Sequence, residues 1–194
     1  ENMPKDNVEK AIKRALEKNQ GDFKEVVFEG YGPHGIAYLV ETATDNNTRT
    51  VANVRSYFTK CGGSLGTSGS VSFMFDHKCV FRIKYQEGMD IDELQLALCE
   101  CDDDPEVFIE EQEDKDENIT KNVVIYGAYE SYGAIQKYIE DNGYELVSGG
   151  FERIPNVELK DVTPEQRETL DKLTGLLEDD DDVTNVYSTL KPEE

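Results

Sequence analysis

Glu25-Val26-Val27-Phe28-Glu29-Gly30-Tyr31-Gly32-Pro33-His34-Gly35-Ile36-Ala37-Tyr38-Leu39-Val40-Glu41 contains two short apolar runs separated by Gly30-Tyr31-Gly32-Pro33 and Gly35. Runs of this length, rich in Val, Ile, Phe and Tyr and broken by Gly and Pro, read as two strands around a tight loop. Downstream, Thr44 or Asp45 caps a helix that runs to about Lys60, with Val51, Val54 and Phe58 on its inner face, and Gly62-Gly63 ends it. Strand, strand, helix is therefore the opening motif. Short connections of this kind favour antiparallel pairing over a doubly wound parallel sheet.

Outward from this motif the same alternation continues. Before it, Pro4 sits in the first turn of a helix whose apolar stripe is Val8, Ala11, Ile12, Ala15 and Leu16, and Gly21 closes that helix. After it come the glycine-rich loop 64–70 and two expected strands, 71–75 and 79–84, with Asp76-His77-Lys78 as a hairpin turn. The composition shifts around Gln86-Glu87-Gly88, where a second unit begins. Ile91, Leu94 and Leu98 mark a helix ending near Asp102-Asp103-Asp104-Pro105. Strands at 107–111 and 122–126 flank a polar loop at 112–121. A helix over 129–142 and a strand near 144–154 follow. Thr163-Pro164-Glu165-Gln166 is a capping box for a last helix to about Glu178, and a strand at 183–189 closes the chain. The expected class is α+β, built from small ferredoxin-like α/β sandwiches.

With 194 residues, 37% of them apolar, the chain is long enough for one or two cores. No apolar run approaches the roughly 20 residues of a membrane span, and no signal peptide is visible. The chain opens on Glu1 rather than Met. Four cysteines (Cys61, Cys79, Cys99, Cys101) are too irregularly placed for a disulfide framework and suit a reducing cytoplasm. Cys99 and Cys101 have no second Cys/His pair at ligand spacing, so neither a zinc site nor any other metal or cofactor is expected.

The net charge of −22 is unevenly distributed. Residues 1–84 carry 12 Lys/Arg against 10 Asp/Glu, whereas residues 85–194 carry 8 against 32. A polyanion must therefore be met by the first half. Two places there stand out. Lys10, Lys13, Arg14 and Lys18 share the polar face of the first helix, while Arg49, Arg55 and Lys60 lie off the apolar stripe of the second, in a stretch without an acid from Asn46 to Phe75. Such residues suit phosphate contact, although a plain solvated helix face would look the same. Tyr31, Gly32, Gly62, Gly63 and Gly66 lie in loops beside this helix. The Gly62–Gly69 loop lacks the Gly-Lys-Ser/Thr ending of a phosphate-binding loop and precedes a strand, so nucleotide binding is not expected. Glu178-Asp179-Asp180-Asp181-Asp182 lacks the alternation of a calcium loop and reads as a solvated acidic turn. No catalytic constellation is visible among two isolated histidines and abundant carboxylates.

Longer strings point to a family. Asn2-Met3-Pro4-Lys5-Asp6-Asn7-Val8, Glu29-Gly30-Tyr31-Gly32-Pro33-His34-Gly35 (with His34 where the family has glycine) and Thr44-Asp45-Asn46-Asn47-Thr48-Arg49-Thr50 resemble signatures of the YebC/PmpR family. So do Lys60-Cys61-Gly62-Gly63-Ser64-Leu65-Gly66, Gly69-Ser70-Val71 and the closing Asp181-Asp182-Val183 with Asn185-Val186-Tyr187. The resemblance implies a remnant of an N-terminal helical domain over 1–21. It also implies a second domain over 22–85 and 161–194, with a third, acidic domain over 86–160 inserted in it. It further implies a cytoplasmic, non-enzymatic regulator of gene expression. Family members are regarded as DNA-binding transcriptional regulators, and relatives, including the mitochondrial translational activator of cytochrome oxidase subunit I, act in translation at the ribosome.

The residues themselves do not separate promoter DNA from ribosomal RNA, since neither a helix-turn-helix nor an aromatic RNA-binding pattern is present. The large negative charge favours structured RNA over free duplex DNA. The alternative is an acidic module that docks on a basic protein partner without touching nucleic acid.

Overall fold

The computed structural model describes residues 23–113 and 119–192. The helix expected over residues 4–20, with Lys13 and Arg14, and the expected domain remnant 1–21 lie outside the described residues. The first apolar run forms strand β1 (Lys24–Tyr31) and the second β2 (Ala37–Thr44). They pair antiparallel from Lys24↔Thr44 to Tyr31↔Ala37. Helix α1 (Asn47–Lys60) follows, then the two-residue β3 (Ser64–Leu65), which returns to pair with β1.

Strand β4 (Phe75–Lys84), helix α2 (Ile91–Leu98), strands β5 (Glu106–Glu113) and β6 (Ile119–Ala128), helix α3 (Tyr132–Asp141) and strand β7 (Leu146–Pro155) come next. Helix α4 (Pro164–Glu178) and strand β8 (Val183–Ser188) complete the order. The fold is α+β, with two four-stranded antiparallel sheets ordered β3-β1-β2-β8 and β5-β6-β4-β7. The chain divides into two compact units, one ending at Met74 and resuming at Pro155, the other running from Phe75 to Ile154.

In the first unit α1 and α4 cover one face of the sheet. Phe28, Tyr38 and Val40 of the sheet pack with Val54 and Phe58 of α1 and Leu170, Leu173 and Leu177 of α4. Val54, Phe58 and the three leucines have no exposed surface, and each such side chain contributes roughly 1.5–3 kcal/mol through burial. Tyr38 and Phe58 meet edge to face, with centroids 5.8 Å apart. The capping box is present at the start of α4. The Thr163 side chain accepts the Gln166 N–H, and the Gln166 side chain accepts the Thr163 N–H. This α4–β8 pair is positioned by β2, against which β8 lies antiparallel, with Tyr38↔Ser188 and Val40↔Val186.

The second unit runs β4-α2-β5-β6-α3-β7, and its sheet order is that of a ferredoxin-like sandwich. Its core joins Phe81 and Ile83 of β4, Leu94 and Leu98 of α2, Val123 and Ile125 of β6, and Ile135 and Ile139 of α3.

Three expectations change. Residues 71–75 are not a strand: Ser72–Met74 form a short 3-10 turn, because the N–H groups of Val71 and Ser72 donate to the Glu29 carboxylate instead of to a neighbouring strand. Asp76-His77-Lys78 is not a hairpin turn but the start of β4, with Lys78 opposite Ala128. No residue there is a glycine or takes the positive φ that a tight two-residue hairpin requires. Finally, residues 75–84, grouped by sequence with the first domain, hydrogen-bond to β6 and belong to the second sheet, while 155–160 lie with the first unit. Among the described residues no helix is long and apolar enough to cross a membrane.

Candidate nucleic-acid interface

Helix α1 begins where Asn46 accepts the Arg49 N–H through its side chain (3.1 Å) and Thr44 Oγ1 accepts the Asn46 N–H (2.9 Å). Thr50, Val54 and Phe58 form its buried stripe. It ends at Gly62, whose φ of +79° suits a residue without a side chain, and the Gly63 N–H closes the turn on the Phe58 carbonyl (2.8 Å). A Cβ at Gly63 would run into the Tyr31 carbonyl oxygen. The two loops singled out in the sequence, Tyr31-Gly32 and Gly62-Gly63, are thus in backbone contact at the C-terminal end of α1, and Gly66 is tied to β1 by its N–H to the Glu29 carbonyl (2.7 Å).

The three basic residues of α1 have different environments. Arg49 is held by carboxylates: Nη2 lies 2.8 Å from Asp182 Oδ1 and 2.9 Å from Asp45 Oδ1, and Nε donates to Asp182 Oδ2 (3.2 Å). Its hydrogen bonds to Asp182 and then to Asp45 push its pKa up. Arg55 and Lys60 are exposed and have no carboxylate partner among the described residues. The Lys60 ammonium lies 5.9 Å from the centre of the Tyr57 ring. Arg55, Lys60 and the half-exposed Tyr31 are accessible and, among the described residues, free of carboxylates, whereas Arg49, though also exposed at its side chain (47%), joins α1 to the turn before β8.

That turn is solvated at Glu178, Asp179 and Asp181, as its sequence reading expects, but not at Asp180 and Asp182. Asp180 and Asp182 are only 8% and 6% exposed. Asp182 receives Arg49 and lies 2.8 Å from the Thr50 hydroxyl. Asp180 accepts from the Tyr57 hydroxyl (2.8 Å) and Asn53 Nδ2 (3.2 Å). Burial, and then the Asp180 carboxylate, push the Tyr57 phenol up to about 12. Two acids from the far end of the chain thus anchor one side of α1.

The glycine-rich loop likewise turns inward. Gly69, Val71 and Ser72 donate backbone N–H groups to the buried Glu29 carboxylate at 2.6, 2.9 and 2.6 Å. Burial works to raise the Glu29 pKa, but the three N–H donors and the Ser72 side chain outweigh it and hold it below the usual carboxylate range. These N–H groups, which could have held a phosphate, hold the protein's own anion. Sequence reasoning missed Glu29. Its signals were an acid directly after the apolar run Val26–Phe28 and its place at the head of the Glu29-Gly30-Tyr31-Gly32-Pro33 string.

Among the described residues no three His, Cys, Asp or Glu side chains are placed to share a metal ion. Cys61 and Cys79 are buried free thiols, and burial pushes the Cys79 thiol up.

Residues 23–190 match the family described as TACO1/YebC second and third domain. The chain belongs to the TACO1/YebC family. A Bacteroides thetaiotaomicron protein named probable transcriptional regulatory protein is 57% identical over 194 residues, covering all of this chain and 75% of that protein. A Porphyromonas gingivalis protein of the same name is 54% identical over 194 residues, again all of this chain and 76% of that protein. The crystal structure of a conserved hypothetical protein from Aquifex aeolicus matches with a TM-score of 0.67 at 31% identity, over 99% of this chain and 75% of that one. The relatives' shared name is that of a regulator, not of an enzyme. In this TACO1/YebC member, the contacts of Arg49 and Glu29 assign two motif residues to holding the fold together.

Proposed function

We propose that this chain is a non-enzymatic regulator of gene expression that acts by contacting nucleic acid through the outer face of α1 and the loops at its C-terminal end. The reading rests on one observation. Arg55 and Lys60 are exposed, lack carboxylate partners among the described residues, and lie in the acid-free stretch from Asn46 to Phe75. Unneutralised cations on a rigid helix are what phosphate contact requires. Tyr31 and the Gly62–Gly66 loop adjoin this face and offer a ring and exposed backbone to an unpaired base.

Structured RNA, as in the ribosome, is the target we favour over free duplex DNA. A chain of net charge −22 is repelled by a uniform polyanion, and only a surface that presents phosphates locally to this patch avoids the acidic remainder. The relatives' name, probable transcriptional regulatory protein, is compatible with a role in gene expression at either level.

The test is binding of the protein to purified ribosomes, to a ribosomal RNA fragment and to duplex DNA across a salt series. The expected result is tighter ribosome or RNA binding than DNA binding. Arg55→Ala and Lys60→Ala should each lower the salt slope by about one. Unchanged slopes would exclude this face. Sequence-selective DNA binding at near-physiological salt would exclude RNA as the target.

A further inference from the structure

The second unit has a surface of different chemistry. On the helix side of its sheet, at the N-terminal end of α3, His77 stacks on Tyr129 with centroids 4.3 Å apart and rings 26° from parallel. Phe151 of β7 meets Tyr129 at 4.8 Å and His77 at 5.8 Å. The stack is rooted in the core, since Phe151 also meets Tyr132 at 4.8 Å, and Tyr132 meets the fully buried Phe81 at 4.8 Å. Its outer rings are open, with Tyr129 45% and Phe151 41% exposed. Two adjoining aromatic rings held open to solvent beside a half-buried third are an uncommon use of apolar surface unless something covers them.

Beside the stack, and sharing His77 with it, is an open cavity of about 590 Å³. Among the described residues Lys78 is the one Lys or Arg in its lining, and Lys78 is bound to the Glu106 carboxylate. Asp102 lies buried at its edge and serves the fold, accepting the N–H groups of Ala128 (2.8 Å) and Asp104 (2.9 Å). Glu100, Asp103 and Asp104 line the cavity as exposed carboxylates, with Asp104 within the field of Lys78. Residues 75–154 as a whole carry 21 Asp/Glu against 7 Lys/Arg, so the surrounding field reinforces the local one.

We propose that the His77–Tyr129–Phe151 stack and the adjoining carboxylate-lined cavity form a docking surface for an arginine-rich segment of a basic protein. A guanidinium is the group that suits both halves. Its planar face stacks on an aromatic ring, and its edge donates two parallel hydrogen bonds to a carboxylate. A nucleobase would also stack on these rings, but its phosphates would be brought against Glu100, Asp103 and Asp104, where a single-strand site needs cations. This surface belongs to the second unit and α1 to the first, and the inference does not depend on the α1 face's binding nucleic acid.

The experiment is fluorescence anisotropy of a labelled peptide of alternating arginine and glycine titrated with the intact chain. Single-stranded poly(U) is measured in parallel, and thermal melts check that each variant is folded. Tyr129→Ala and the Asp103→Asn/Asp104→Asn double variant should each weaken peptide binding about ten-fold, and Tyr129→Phe should leave it within about two-fold. The lysine–glycine counterpart should bind more weakly than the arginine peptide. The double variant Glu87→Gln/Glu140→Gln removes two charges from the opposite end of the unit and should change little. Equal weakening by that control would mean diffuse charge attraction and overturn the proposal. Retention of peptide binding by Tyr129→Ala would overturn it as well. So would loss of poly(U) binding in its place, which would make the stack a base platform.

Discussion

The guanidinium of Arg49 grips the carboxylate of Asp182 across 133 positions of sequence, with Nη2 2.8 Å from Oδ1 and 3.0 Å from Oδ2. This pair joins the first turn of α1 to the turn that starts β8. One residue supplied before the second unit is thereby fastened to one supplied after it.

Asp182→Ala should therefore destabilise the first unit by about 2 kcal/mol, because the buried Thr50 hydroxyl loses a partner and the Arg49 guanidinium loses its inner one. Arg49→Ala should also lower the urea midpoint while leaving the salt slope of RNA binding unchanged. A drop in slope equal to that of Arg55→Ala would place Arg49 in the interface after all.

Glu29 gives a pH signature. Its folded pKa is depressed, so the unfolded chain takes up the proton at a higher pH than the folded one. Its stabilising contribution is present above the unfolded value of about 4.3 and is lost as pH falls through the folded value. Glu29→Gln should cost about 2 kcal/mol at neutral pH, since an amide nitrogen is set against N–H donors. The gap between wild type and variant should close below about pH 4. A gap that is constant with pH would show that the carboxylate's charge is not what orders the loop.

Tyr57 titrates at the other extreme. Its folded pKa is raised to about 12, above the ordinary value of about 10. Its contribution is whole below the unfolded value and is lost as pH rises through the folded one. Ultraviolet titration should show a late phase from the phenols whose pKa is raised, Tyr38, Tyr57, Tyr126 and Tyr138, and Tyr57→Phe should shrink that phase by one phenol. A late phase of unchanged amplitude in the variant would show that Tyr57 ionises with the exposed tyrosines.

His34 occupies the left-handed region, with φ of 63°. A side chain there carries strain that glycine does not, partly offset by the greater freedom glycine loses on folding. His34→Gly should thus stabilise the protein by roughly 0.5 kcal/mol. His34→Val should destabilise it by about 1–2 kcal/mol. Urea midpoints measure both, and a stabilising valine would mean that the loop relaxes into another conformation.

Much of the fold was legible locally. The β1–β2 hairpin follows from two β-rich runs and the Gly/Pro punctuation between them. Helix α1 follows from Val51, Val54 and Phe58 at helical spacing with glycines past its end, and α4 from its capping box. Each of these signals lies within one element, where side chains a few residues apart meet by geometry alone. The candidate surface was partly legible for the same reason: Arg55 and Lys60 face outward because the apolar stripe faces in.

By itself, then, the sequence determined most of the elements, the α+β class, the family strings and the unequal distribution of charge between the two halves. Only the tertiary structure decided which sheet receives residues 75–84, since a run of alternating residues carries no address for its partner strand. It also decided what the charged groups do. Asp180 and Asp182 look like solvated acids, Glu29 like a strand-surface acid and Arg49 like a free cation, until packing places each against its partners. A charge in water and the same charge buried beside Arg49, Tyr57 or three backbone N–H groups are spelled identically. The difference between them is the environment, and folding creates it.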